Sequence, residues 1–194
     1  MNLYDFDDTI YDGDTCKDIV IYGLLKQPLY TLQSLFNAYK LKSQYKKGQV
    51  EFERVKETML SFIFNMDNSQ EFINSFVDSH MKKIKKYYKE RQTENDVIVS
   101  ASYEIWISVF AKRLGIKYVI ATKTDEKGHI IGKNCKGEEK IRRINEVFKD
   151  GYFLCAYSDS SVDIPMLELA NAAYVIEGNN VLPYVKDYKF KNNK

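Results

Sequence analysis

Val97-Ile98-Val99-Ser100-Ala101-Ser102 settles the fold more than any other stretch of this chain. Three consecutive apolar, β-branched residues leave no polar alternation, which predicts a strand buried on both faces of a parallel sheet. Working outward, a helical pattern follows from Tyr103 to about Leu114 and closes at Gly115. Lys117 to Ala121 reads as a second such strand, Gly128 to Gly132 as a hairpin region, and residues 137–149 as a helix. Tyr152 to Ala156 is a further strand. Pro165 opens another helix with Asp163 in a capping position, and Ala173 to Ile176 is a last strand. Strand and helix alternate, so the fold class is α/β, with a doubly wound parallel sheet.

Upstream the texture differs. Asn2 to Phe6 reads as a short strand running into a cluster of acids. From residue 16 to residue 92 the apolar positions recur at helical spacing: Leu29, Leu32, Leu35, Phe36 and Tyr39, then Phe52, Val55, Met59, Phe62 and Ile63. A third set runs from Phe72 to Tyr87, with Asn68 and Glu71 as a capping box. The basic clusters of this stretch, Lys46-Lys47 and the run from Lys82 to Arg91, read as a solvated face. The expected organisation is an α/β core of residues 1–15 and 93–194, with a helical cap of residues 16–92 inserted after the first strand. Residues 186–194 are polar and expected to fray.

The 194 residues suffice for one good core and one small module. A formal charge of +2 is too small for a concentrated nucleic-acid-binding face. Three widely spaced cysteines read as idle thiols in a reducing compartment, and the two histidines lack metal-ligand neighbours. No leader pattern is evident at the N-terminus, and no run of about 18 apolar residues exists to span a membrane. The expectation is a cytoplasmic protein with a small-molecule partner.

Four fragments follow strands, where open α/β sheets place their ligands. In Asp5-Phe6-Asp7-Asp8-Thr9, side chains at i and i+2 share a side, and two acids so placed call for a hard cation such as Mg²⁺. Ser100, with Ala101 after it, offers a hydroxyl and backbone N–H donors to a phosphate oxygen. Lys136, before Gly137 and a helix start, places an ammonium against phosphate charge. Ser158-Asp159-Ser160-Ser161-Val162-Asp163 brings a second pair of acids to a strand end.

The order of these fragments resembles the haloacid dehalogenase superfamily of phosphatases and phosphotransferases. Asn134-Cys135-Lys136-Gly137-Glu138-Glu139-Lys140 and Ser158-Asp159-Ser160 through Asp163, Pro165, Met166 and Leu167 look most like its phosphoserine-phosphatase-like branch, whose members carry a helical cap after the first strand. The resemblance implies Asp5 as nucleophile and Asp7 as general acid and base. It implies Mg²⁺ held by Asp5, the Asp7 carbonyl and Asp159, with Ser100, nearby amides and Lys136 neutralising the phosphoryl group. Thr9 and Asp163 would support these groups from behind. The substrate is expected to be a small phosphorylated metabolite. Ser-Ala-Ser at 100–102 departs from the branch's usual Ser-Gly-Gly. Arg54 is displaced from the expected cap arginine, and Asp14 serves either the substrate or the helix starting near Thr15, the cap being favoured. Phosphoserine is therefore weakly supported. Rival readings are a phosphatase of a lipid or polymer-precursor head group at a membrane surface, a non-catalytic phosphate-binding module, and a helical partner protein. The last does not explain the acids after strands.

Overall fold

Strand β1 (Asn2–Tyr4) is three residues long, yet it occupies the middle of the sheet. In the computed structural model, which describes residues 1–149 and 151–191, Leu3 pairs with Val97 on one side and Ala156 on the other. Around it, β2 (Asp96–Tyr103), β3 (Tyr118–Thr122), β4 (Phe153–Ser158) and β5 (Ala170–Glu177) run parallel. Strand β6 (Asn180–Pro183) returns antiparallel to β5, and the order across the sheet is β3-β2-β1-β4-β5-β6. Val97, Ile98 and Val99 are fully buried, as their unbroken apolar run predicts.

Between β1 and β2 the chain forms α1 (Thr15–Lys26), α2 (Pro28–Lys46), α3 (Phe52–Phe64), α4 (Ser69–His80) and α5 (Lys86–Arg91). Helices α6 (Glu104–Leu114), α7 (Glu138–Val147) and α8 (Ile164–Leu167) follow the later strands. Successive residues of a strand face opposite sides, and β1 divides its contacts accordingly. Tyr4 joins a core with Ile98, Trp106 and Phe110 of the sheet region and Leu60, Phe62, Phe76 and Val77 of the inserted helices. Leu3 joins the opposite core with Val99, Ile144, Met166 and Val175. On the first face Tyr4, Tyr157 and Tyr174 stack across three adjacent strands, with ring centroids 4.3 and 5.0 Å apart.

Several expectations hold in place and fail in detail. Gly115 closes α6 in the left-handed conformation at φ 73°, which a residue without Cβ adopts freely. The capping box does not form: Asn68 occupies the cap position, but its side chain makes no capping bond. Asp163 precedes α8 without capping it, because its carboxylate is engaged by Lys140 and Ser158. Strand β6 was not foreseen; it follows the two-residue Gly178-Asn179 loop, with Gly178 at φ 61°. The tail expected to fray is held as far as described, since Phe190 is buried and Tyr188 packs on the same core. Residues 192–194 lie outside the described residues.

Candidate active site

The site begins where β1 ends. Asp5 donates its backbone N–H to Tyr157 O at 3.0 Å, which fixes its Cα at the sheet's carboxyl edge. The chain then coils tightly, with the N–H groups of Ile10 and Tyr11 both bonded to Phe6 O at 2.9 Å. That coil folds Thr9 back so that its hydroxyl lies 3.2 Å from Asp5 Oδ2 and 3.4 Å from Asp159 Oδ1. Thr9 Oγ1 also accepts the Asp159 N–H at 3.1 Å, so one hydroxyl ties the two strand ends together. Helix α5 and the residue before it clamp the coil from outside: Tyr87 donates to Thr9 O, and Lys85 N–H to Ile10 O, each at 2.8 Å.

The ammonium expected from Lys136 comes instead from Lys140. Its Nζ donates to Asp5 Oδ1 at 2.6 Å and to Asp163 Oδ2 at 2.8 Å, and the residue is 2% exposed. Lys136 lies before α7, where the Gly137 turn leaves it exposed at the cavity rim. Lys140 lies in the first turn of the helix and shares its inner face with Arg143 and Ile144. Ser158 donates to Asp163 Oδ2 at 2.7 Å and completes that carboxylate's surroundings.

Asp7 points to the other side of the crevice, so the carboxylates of Asp5, Asp7 and Asp159 do not converge as three. Its Oδ1 accepts the Thr15 N–H and its Oδ2 the Ser102 hydroxyl, both at 2.6 Å. Behind Ser102 the donors run in one direction. Trp106 Nε1–H donates to Thr15 Oγ1 at 3.2 Å, and Thr15 Oγ1–H to Ser102 Oγ at 3.0 Å. Ser100, the hydroxyl expected at the phosphate, is wholly buried, and its Oγ accepts the Ser102 N–H at 3.0 Å. Ala101 and Ser102 line the cavity, whereas Ser100 lies in β2 beneath them, where the register with β3 shifts.

The cap residues divide. Asp14 caps α1 by accepting the Lys17 N–H at 3.1 Å, and it also lines the cavity. Arg54 is not a cavity residue: it is exposed and reaches Glu57 at 3.4 Å, because its position on α3 faces outward. Two positions on, Lys56 is buried and donates to Ala101 O and Asn134 Oδ1, both at 2.8 Å. Lys56, Lys140, Thr15 and Ser102 were missed in the sequence. The legible signal was a basic residue on the apolar face of a helix, at 56 and again at 140.

Burial governs the titration of these groups. It pushes Asp5 well above the usual carboxylate range; Lys140 pulls the other way, while Asp163 and Asp159 add to the rise. For Lys140 burial favours the neutral amine, but Asp163 and Asp5 outweigh it and keep the ammonium charged. Asp7 is raised by burial against its bonds from Ser102 and Thr15. Burial also lowers Lys56 and pushes the Cys16 thiol up to about 11, which leaves it a thiol near neutrality.

A cavity of about 620 Å³ lies over these groups. Asp5, Asp7, Lys140 and Asp159 form part of its polar floor, and Val20, Ile21, Phe52 and Met59 of the inserted helices form an apolar wall. The charges acting most on Asp5 are one ammonium and two more carboxylates. Among the described residues no three metal-binding side chains form a cluster, and what Asp5 and Asp159 offer a cation is oxygen, the donor that a hard divalent ion such as Mg²⁺ takes.

A family model of haloacid dehalogenase-like hydrolases matches residues 3–168. Protein CicA of Caulobacter vibrioides is 38% identical over 82 residues, 39% of this chain and 37% of that protein. A probable phosphatase of Mycobacterium tuberculosis is 41% identical over 88 residues, 41% of this chain and 31% of its own length. The matches thus span well under half of these curated relatives. Among solved structures, a protein of unknown function from Bordetella pertussis Tohama I aligns with a TM-score of 0.66 at 19% identity, over 89% of this chain and 87% of its own. A phosphoserine phosphohydrolase-like protein from Francisella tularensis aligns with a TM-score of 0.56 at 18% identity, over 92% and 87%. At these identities the structural likeness concerns the fold. With the match covering most of the chain, and the acids, hydroxyl and lysine gathered at the ends of its strands, the protein belongs to the haloacid dehalogenase-like hydrolases.

Proposed function

We propose that this protein is a Mg²⁺-dependent phosphomonoester hydrolase that works through an aspartyl-phosphate on Asp5. The observation that carries the reading is the grip on Asp5: Lys140 on one carboxylate oxygen, Thr9 on the other, and Asp159 beside it. A carboxylate held so firmly at a cavity floor is oriented for in-line attack on phosphorus. An Asp5 oxygen forms the new bond to phosphorus as the ester P–O bond breaks. Asp7, two residues on and facing the same cavity, gives its proton to the departing oxygen. It then takes a proton from the water that releases inorganic phosphate and restores Asp5. Thr15 and Ser102 keep the Asp7 carboxylate aimed, and Lys140 offsets charge on the transferring group. Asp5, Asp159 and the Asp7 carbonyl would hold Mg²⁺, which supplies further neutralisation of the phosphoryl oxygens when bound. Residues 16–92 act as a cap that covers this cleft and selects the substrate.

The decisive measurement is phosphate release from a panel of phosphorylated metabolites in the presence of Mg²⁺. Asp5→Asn keeps the side chain's size and removes its charge, so turnover on the best substrate should fall at least about a thousandfold. Wild-type turnover by that variant would overturn the covalent mechanism. A second reading, hydrolysis of a lipid or polymer-precursor head group, gains support from one observation: the wall of Val20, Ile21, Phe52 and Met59 suits an apolar leaving group.

A further inference from the structure

Helix α2 is built inside out. The residues it buries are small or polar, Thr31, Ser34 and Ala38, and Ser34 bonds Ser61 of α3 at 2.9 Å. Its large apolar residues face solvent instead: Leu29 is 82% exposed, Tyr39 70%, Phe36 60% and Leu32 56%. At about 100° per residue these four fall within an arc of about 80°, opposite the buried three. On α1, Leu25 and Ile21 are likewise exposed, and Ile21 is also part of the cavity wall. Isolated exposed apolar residues are ordinary, but a continuous set along one helix marks a docking surface.

The charge around this surface identifies its occupant. From Ile19 to Val50 there is no acidic residue, while Lys26, Lys40, Lys42, Lys46 and Lys47 are all present and exposed. The Lys40 ammonium lies 4.3 Å from the Phe36 ring centroid, directly beside the apolar stripe. A second copy of this chain would set these lysines against their own equivalents, so self-association is opposed by like charge. An apolar stripe flanked by lysines matches the interface of a bilayer that carries anionic head groups.

We propose that the outer face of α1 and α2 is a docking surface for an anionic lipid bilayer. Leu29, Leu32, Phe36 and Tyr39 enter the head-group boundary, and the lysines meet lipid phosphates. Docking there sets the mouth of the cavity, at Ile21, against the lipid surface. The proposal stands independently of the reaction assigned to the cavity.

Flotation of the full chain with phosphatidylcholine vesicles, with and without phosphatidylglycerol, tests it. Binding should require phosphatidylglycerol and weaken as salt is raised. The double substitution Leu29→Glu with Phe36→Glu should lower partitioning at least about tenfold, because two apolar anchors are lost and negative charge is added. Lys40→Glu with Lys42→Glu should abolish the preference for phosphatidylglycerol. Both pairs lie outside the cavity, so hydrolysis of p-nitrophenyl phosphate should be unchanged, which also shows that the variants fold. Absence of vesicle binding, or equal binding by the Leu29/Phe36 variant, would overturn the proposal. So would a dimer of the wild type that this variant dissolves without any vesicle binding. If no phosphate ester were hydrolysed while flotation behaved as described, the phosphatase reading would fail and the docking surface would stand.

Discussion

The Lys140 ammonium carries the charge balance around Asp5. It touches Asp5 and Asp163 and is almost wholly enclosed, so no solvent screens the interaction. Lys140→Met leaves two neighbouring carboxylates without a shared cation and, on the proposed mechanism, removes a charge from the phosphoryl site. Its kcat should fall at least about a hundredfold. Lys136 is exposed at the rim, where water screens an ammonium, so Lys136→Ala should keep kcat within about fivefold of wild type. Steady-state kinetics on one substrate separates the two, and the reverse ranking would refute the assignment. The sequence reading assigned this part to Lys136, beside the glycine, whereas Lys140 is the lysine that meets Asp5. Distance along the chain to a helix start was legible; which residue of the first turn faces the sheet was not. That choice depends on the Gly137 conformation, φ 55° with ψ −127°, which sets the rotation of α7.

At the level of elements, the parallel strands were the most legible because burial on both faces leaves an unbroken apolar signature. Strand β6 was not, since Asn180–Pro183 is an edge strand with half its surface wet and a proline at its end. Helix α2 was recognised from its periodicity, yet its apolar stripe marks the solvent side and not the core. Period alone gives a face and not what covers it. The true contact of α2 is made by small residues, and it is tight. A Cβ on Gly23 of α1 would stand 2.6 Å from Phe62 Cε2 and 2.7 Å from Thr31 Oγ1. Phe62 is fully buried and has nowhere to go. Alanine at a helix interior normally gains about 1 kcal/mol over glycine, whereas overpacking here costs about 1–3 kcal/mol. Gly23→Ala should therefore lower the melting temperature, and a rise would show that α1 and α3 are looser than their packing indicates.

On the scale of the whole molecule, the inserted helices and the sheet close over one shared core. Phe62 of α3 and Phe76 of α4 belong to the same cluster as Phe110 of α6 and Tyr4 of β1. Thermal unfolding should accordingly give one calorimetric transition, and two well-separated transitions would mean that residues 16–92 fold as an independent unit. The positions of Asp5 and Asp159 were legible because each directly follows a strand, and that of Asp7 because it stands two residues after Asp5. The partition of their roles was not, because it depends on where Thr9, Thr15 and Ser102 turn each carboxylate. That arrangement gathers negative charge against the hydrophobic effect, which stabilises the rest of the fold. Burial raises Asp5 most, and Asp163 and Asp159 add to the rise, so without a divalent cation the ionised Asp5 weakens the native state it belongs to. On the proposed function Mg²⁺ would bind the folded chain alone, and at about a hundred times its dissociation constant it should contribute about 2.7 kcal/mol. For a chain of this length that is a rise in melting temperature of about 5–10 °C. Asp159→Asn removes one repelling charge and one proposed ligand together. It should melt higher than wild type in excess chelator, yet gain almost nothing from Mg²⁺. Scanning calorimetry of both proteins in chelator and in Mg²⁺ gives four melting temperatures. A wild type indifferent to Mg²⁺, or an Asp159→Asn protein that responds as fully as wild type, would remove the cation from this crevice.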